Sequence, residues 1–93
     1  MSGARVVWRI EFDQKAFKDL EGLGKVDRER VRRFLDKRVL VHDDPRTFGA
    51  PLSGGLSGLW RYRVGAIRII ASIEDDRFVV KVVSVGNRRD VHR

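Results

Sequence analysis

The 93-residue chain has no cysteine, which excludes a disulfide framework and a thiolate metal site and fits a reducing cytosol. It has only two histidines besides, so a zinc site is not expected. No apolar run at the start reaches signal-peptide length, and none approaches a membrane span. Proline is down to two residues, Pro45 and Pro51, both in one glycine-bearing stretch. Acidic residues are missing where it matters most, since none occurs between Asp44 and Glu74. These absences predict a soluble cytoplasmic protein built as a single domain over residues 1–93.

Positive charge is in excess. Lys and Arg total 20 against 13 acids, a net charge of +7, and Arg far outnumbers Lys. In so short a chain this surplus implies an acidic partner: nucleic acid, an acidic protein segment, or both.

Hydrophobic spacing divides the chain into elements. Ala4, Val6, Trp8, Ile10 and Phe12 alternate with Arg5, Arg9, Glu11 and Asp13, with Val7 the exception, which predicts a half-buried first strand. Asp13 falls at a helix N-cap, and Ala16, Phe17, Leu20 and Leu23 mark one apolar face of a short helix ending at Gly22 and Gly24. A second helix is predicted from Asp27, as N-cap, to about Val41. Val31, Phe34, Leu35 and Val39 form its buried stripe, and Arg28, Arg30, Arg32, Arg33, Lys37 and Arg38 crowd the remainder. That basic side is either an ordinary solvated face or a surface for RNA. Asp43-Asp44-Pro45 stops the helix, with His42 as a C-terminal cap, and a loop runs on to Ser57.

Gly58 to Ile70 then reads as a β-hairpin. Trp60, Tyr62 and Val64 alternate with Arg61 and Arg63, Gly65-Ala66 makes a tight connection, and Ile67, Ile69, Ala71 and Ile73 alternate on the way back. A last strand from Phe78 to Val85 carries Lys81 and is expected to break at Gly86, before a polar tail. The predicted fold is α+β in the order β-α-α-β-β-β, with two N-terminal helices packed on one face of a mainly antiparallel twisted sheet. The helices should cover Trp60, Tyr62 and Val64, leaving Arg61 and Arg63 on the open face. Arg68 joins them if the register allows. Guanidinium forks aimed from a rigid sheet suit phosphate. The rival arrangement pairs Arg63 or Arg68 with Glu74, Asp75 or Asp90 and only braces the sheet.

These residues carry a family resemblance. Pro51-Leu52-Ser53-Gly54 with Leu56, then Gly58-Leu59-Trp60-Arg61-Tyr62-Arg63-Val64-Gly65 with Arg68-Ile69-Ile70, then Ser84-Val85-Gly86-Asn87-Arg88-Arg89-Asp90-Val91 resemble the RelE/ParE superfamily of toxin–antitoxin toxins, and its RelE branch in particular. The resemblance spans essentially the whole chain. It implies a RelE-like fold and a metal-independent, cofactor-free endoribonuclease that cuts mRNA in the ribosomal A site. The family's 2′-OH attacks the adjacent phosphorus, leaving a 2′,3′-cyclic phosphate and a 5′-OH.

By position, the resemblance gives catalytic roles to Arg61, Arg63, Arg68, Arg88 and His92, and Arg89 and Lys81 are expected as further substrate contacts. Arg68 and Arg88 would clamp the scissile phosphate, and His92 would stack on substrate and assist proton transfer. Arg at 61 and 63, where the best-known member has Lys, is a poor general base, so His92 or positioning must do that work. Ala66-Ile67 and Asn87 also depart from the family pattern. The implied partners are a RelB-like antitoxin with an acidic or amphipathic helix, the ribosome with its mRNA, and operator DNA only through the antitoxin complex. The competing readings are a ParE-like DNA gyrase inhibitor with the same fold and a decayed toxin that only binds its antitoxin.

Overall fold

A computed structural model describes residues 7–52 and 58–87. Five strands form one sheet in the order β1-β5-β4-β3-β2, where β1 is Arg9–Phe12, β2 Ala50–Pro51, β3 Leu59–Val64, β4 Ile67–Glu74 and β5 Val79–Asn87. All neighbours are antiparallel except β1, which pairs parallel with β5 at the edge. Two helices, α1 (Gln14–Glu21) and α2 (Lys25–Phe34), link β1 to the rest. The α+β architecture, with both helices on one sheet face, is as the sequence predicts.

Asp13 caps α1 as expected, accepting the Ala16 N–H at 2.8 Å. The ends of the helices differ from expectation. Gly22 closes α1 in the right-handed region, with φ −77°, because its N–H already reaches the Asp19 and Lys18 carbonyls. Gly24 takes the N-cap of α2, and Asp27 sits inside its first turn. After Phe34 the helix widens into a π turn over Leu35–Val39, closed by the Leu40 N–H donating to the Leu35 carbonyl at 3.0 Å.

The core is where the pattern put it. Tyr62, Ile67, Ile69, Ala71, Val80, Val82 and Val85 of the sheet meet Ala16 and Leu20 of α1, Val31 of α2, and Leu35 and Val39 of the π turn. Phe17 is exposed, leaving the α1 stripe to Ala16 and Leu20. The Tyr62 hydroxyl, fully buried, donates to the Pro45 carbonyl at 2.7 Å, and burial raises its pKa.

Two features of the sheet go beyond the sequence reading. The stretch read as loop contributes β2, whose Ala50 and Pro51 pair with Arg61 and Trp60. β5 also runs through Gly86 to Asn87 instead of stopping at Gly86, because a bulge shifts its register: Ile70 opposes Ser84, while Ala71 opposes Val82. The additional residue, Val83, turns Val85 inward to the core. The Val85 N–H donates to the Asp19 carboxylate at 3.1 Å, and that carboxylate also accepts from Lys15 at 2.7 Å.

Candidate functional site

The register fixes which arginines meet. Trp60 opposes Ala71, Tyr62 opposes Ile69, and Val64 opposes Ile67, so these pairs share the helix-covered face. Arg63 opposes Arg68 and Arg61 opposes Ile70, so all three arginines project from the other face. Directly opposed residues have Cβ atoms roughly 4.5–5.5 Å apart. Arg61 and Arg63 are roughly 6–7 Å apart along their strand. The two-residue Gly65-Ala66 turn locks this arrangement, with Gly65 at φ +59° as such a connection requires.

Of the carboxylates that might have neutralised the group, the two among the described residues are engaged elsewhere. Glu74 pairs with Arg77 at 2.6 Å, and Asp75 receives both terminal nitrogens of Arg46, at 3.0 and 2.8 Å. That bidentate pair holds the Asp75 carboxyl below its usual pKa. Among the described residues no carboxylate pairs with Arg61, Arg63 or Arg68. The Nε of Arg68 is buried with no hydrogen-bond partner. A buried donor without an acceptor costs about 1–3 kcal/mol, which the fold bears at this position.

Space for an acceptor adjoins it. A recess of ≈ 70 Å³ is lined by Arg63, Gly65, Ala66, Ile67 and Arg68. On the opposite flank Arg68 faces Gly86, where a side-chain carbon would meet nothing within 4 Å among the described residues. The guanidiniums are therefore approachable, and an oxyanion is the ligand whose charge and acceptor geometry match them.

The other sequence candidates separate. Lys81 is on the same open face, but it opposes Ser72, four residues along β4 from Arg68 and so about 13 Å away. Its parallel-strand neighbour is Glu11. Arg88, Arg89 and His92 lie outside the described residues, as does Asp90. His42 packs edge-on against Phe48, with ring centroids 5.1 Å apart.

Arg30 is the residue that the sequence reading did not connect to the site. A Cβ built on Gly65 would lie 3.1 Å from Arg30 Nη1, so α2 reaches over the hairpin turn beside the Arg63–Arg68 pair. No periodicity in the chain signals that contact.

Residues 10–92 match the family described as "ParE toxin of type II toxin-antitoxin system, parDE". The chain is 30% identical over 81 residues to the mRNA interferase toxin RelE of Escherichia coli K12, covering 85% of this chain and 81% of that protein. Among solved structures it is similar to the RelBE2 toxin–antitoxin complex of Mycobacterium tuberculosis. That match has a TM-score of 0.81 and 25% identity, covering 94% of this chain and 98% of the other. Isolated E. coli RelE superposes with a TM-score of 0.70 and 25% identity, covering 88% of this chain and 84% of that one. An α+β sheet with one helix-covered face and one arginine-bearing face, matched over nearly its whole length, places this chain in the RelE/ParE superfamily of type II toxin–antitoxin toxins.

Proposed function

We propose that this toxin is a ribosome-dependent, metal-independent endoribonuclease that cleaves mRNA in the cytoplasm and is silenced by a cognate antitoxin. The observation that carries this reading is the Arg63–Arg68 cross-strand pair, with Arg68 Nε buried and unpartnered and Arg61 alongside. The relative named an mRNA interferase supports the same chemistry.

In the proposed reaction the ribose 2′-oxygen bonds to the adjacent phosphorus as the P–O5′ bond breaks. A 2′,3′-cyclic phosphate forms, and the 5′-oxygen leaves as a hydroxyl. Charge grows on the non-bridging oxygens in the transition state. Fixed guanidiniums within hydrogen-bond reach stabilise it without reorganising. Arg61, Arg63, Arg68 and Arg88 serve that role, and Arg89 and Lys81 contact substrate. Proton removal from the 2′-OH and delivery to O5′ fall to His92, since an arginine holds its proton too tightly to exchange it. DNA lacks the nucleophile and is not cut.

Several of the related structures are toxins bound to RelB-type antitoxins. An antitoxin with an acidic or amphipathic segment suits the +7 charge of this chain and is proposed to cover or distort the arginine surface. Operator DNA would be reached only through that complex.

Induced expression without antitoxin tests the proposal. Translation should stop with mRNA cut inside codons, and Arg68→Ala should abolish both effects while its circular dichroism matches wild type. Growth arrest with intact mRNA overturns it. The match to a family described by its ParE toxins favours a second reading, a poison of DNA gyrase. Gyrase-linked strand breaks and DNA-damage signalling in place of mRNA loss would establish that alternative.

A further inference from the structure

Arg63 lines the recess it shares with Arg68, and it also lines a larger cleft on the helix side. That cleft, of ≈ 470 Å³, is bounded by Arg30, Arg33, Phe34, Lys37, Arg38 and Val64 as well as Arg63. Five of its seven lining residues are cationic and none is acidic. Arg30, Arg33 and Lys37 recur at helical spacing on one face, spanning about 10 Å along the helix. The i,i+4 partner that the sequence offers, Glu29 for Arg33, forms no ion pair. Arg38 lies 5.8 Å from the Phe48 ring centroid.

A solvated basic face explains cations that point apart. It does not explain five lining one concave space that shares Arg63 with the recess at Arg68. Arg63 can line both because β2 is only two residues long and pairs no further along β3 than Arg61. Beyond that point β3 is a free sheet edge, and Arg63 stands at it between the open face and α2. Arg30 closes the corner over Gly65.

We infer that this cleft holds the backbone phosphates of the single RNA strand whose scissile phosphate is bound by the Arg63–Arg68 pair. The strand crosses the β3 edge at Arg63 and continues along Arg30, Arg33 and Lys37. The inference rests on the reading of the arginine pair as a phosphate site, but not on the ribosome or on cleavage. Phe34 and Val64 form an apolar floor that sets no base preference, so recognition in the cleft is electrostatic and indifferent to sequence.

The test is binding to 2′-O-methyl RNA, which lacks the nucleophile and stays intact. Wild-type protein is titrated at low salt with a trinucleotide and a decanucleotide, alongside the Arg33→Gln/Lys37→Gln double variant and Arg68→Ala. Both glutamine sites are exposed, and circular dichroism checks the fold. The decanucleotide should bind wild type about tenfold more tightly than the trinucleotide, and the double variant should lose that gain. Its salt dependence should be shallower by about 1.4 in log–log slope, since each single-strand phosphate contact contributes about 0.7. Arg68→Ala should weaken both oligomers.

An unchanged length gain in the double variant overturns the inference, as does the absence of RNA binding by wild type. Equal loss of binding to a poly-glutamate of matched charge also overturns it, giving the cleft to an acidic protein segment. Wild-type toxicity that Arg68→Ala removes, with mRNA intact throughout, would defeat the nuclease reading while leaving the length dependence to decide this one.

Discussion

Arg63 and Arg68 face each other directly across the β3–β4 ladder, two like charges where a sheet ordinarily places a complementary pair. Like charges at opposed positions cost roughly 0.2–1 kcal/mol, and the buried, unpartnered Arg68 Nε adds to that. The fold therefore bears a local penalty at the site. Replacing Arg68 with Leu should raise stability by about 1 kcal/mol, since it removes both the repulsion and the orphan donor. The urea midpoint checks it, with an unchanged slope showing that the denatured state is unaffected. A lower midpoint would mean that Arg68 has a structural role.

The same pair makes an anion stabilising. A ligand that binds the folded state alone raises stability by RT ln(1 + [L]/Kd). Inorganic phosphate should therefore raise the wild-type melting temperature progressively, and chloride at matched ionic strength should not. Arg68→Leu should flatten the phosphate response. Equal responses in the two proteins would place anion binding elsewhere on the surface.

Asp19 links α1 to the bulge that sets the register of β5. Its carboxylate takes the Val85 N–H, and Lys15 donates to the same carboxylate. Burial opposes the charged form, but these hydrogen bonds outweigh it and the pKa lies below the 3.8 of an ordinary aspartate. A depressed folded pKa means that the stabilisation is fully present above the unfolded value and is lost as pH falls through the folded value. Asp19→Asn should cost about 1–2 kcal/mol near neutrality, with the gap to wild type closing below pH 3.8. Denaturant titrations of both proteins from pH 7 to pH 2.5 measure this. A gap that stays constant with pH would mean that the carboxylate charge is not involved. Asp75, also depressed by Arg46, titrates in both proteins and cancels in the difference.

Most of the hairpin was legible because its alternation is strict: Trp60, Tyr62 and Val64 inward, Arg61 and Arg63 outward, with a two-residue turn between strands of fixed register. The bulge was not, because Val79, Val80, Val82, Val83 and Val85 give near-continuous hydrophobicity in which an inserted residue leaves no trace. β2 was hidden for a different reason. Two residues are too few to show a period, and Pro51, which donates no hydrogen bond, reads as loop. Arg61 and Arg63 were assembled from pattern alone, and Arg68 joined them once the register paired it with Arg63. Arg30 entered only through the path of α2 over Gly65, a tertiary relationship that spacing does not encode.

Gly49 governs the approach of β2 to β3 and so the seating of Arg61. It has φ +86°, and a side-chain carbon there would collide with the Arg61 carbonyl and come within 2.6 Å of Trp60 Nε1. That indole N–H is already committed to the Phe48 carbonyl at 2.7 Å, so it cannot swing away without breaking a part-buried hydrogen bond. The Arg61 carbonyl belongs to the strand and cannot rotate at all. Gly58 gives the internal control, since it has φ +91° but open space around the Cβ position. Gly58→Ala should cost only the backbone strain, about 1 kcal/mol, whereas Gly49→Ala should cost that plus the displacement of β2, about 2–3 kcal/mol in all. Chemical denaturation of the two variants separates them. Near-equal losses would show that β2 tolerates the displacement, and that Arg61 is positioned by β3 and β4 without it.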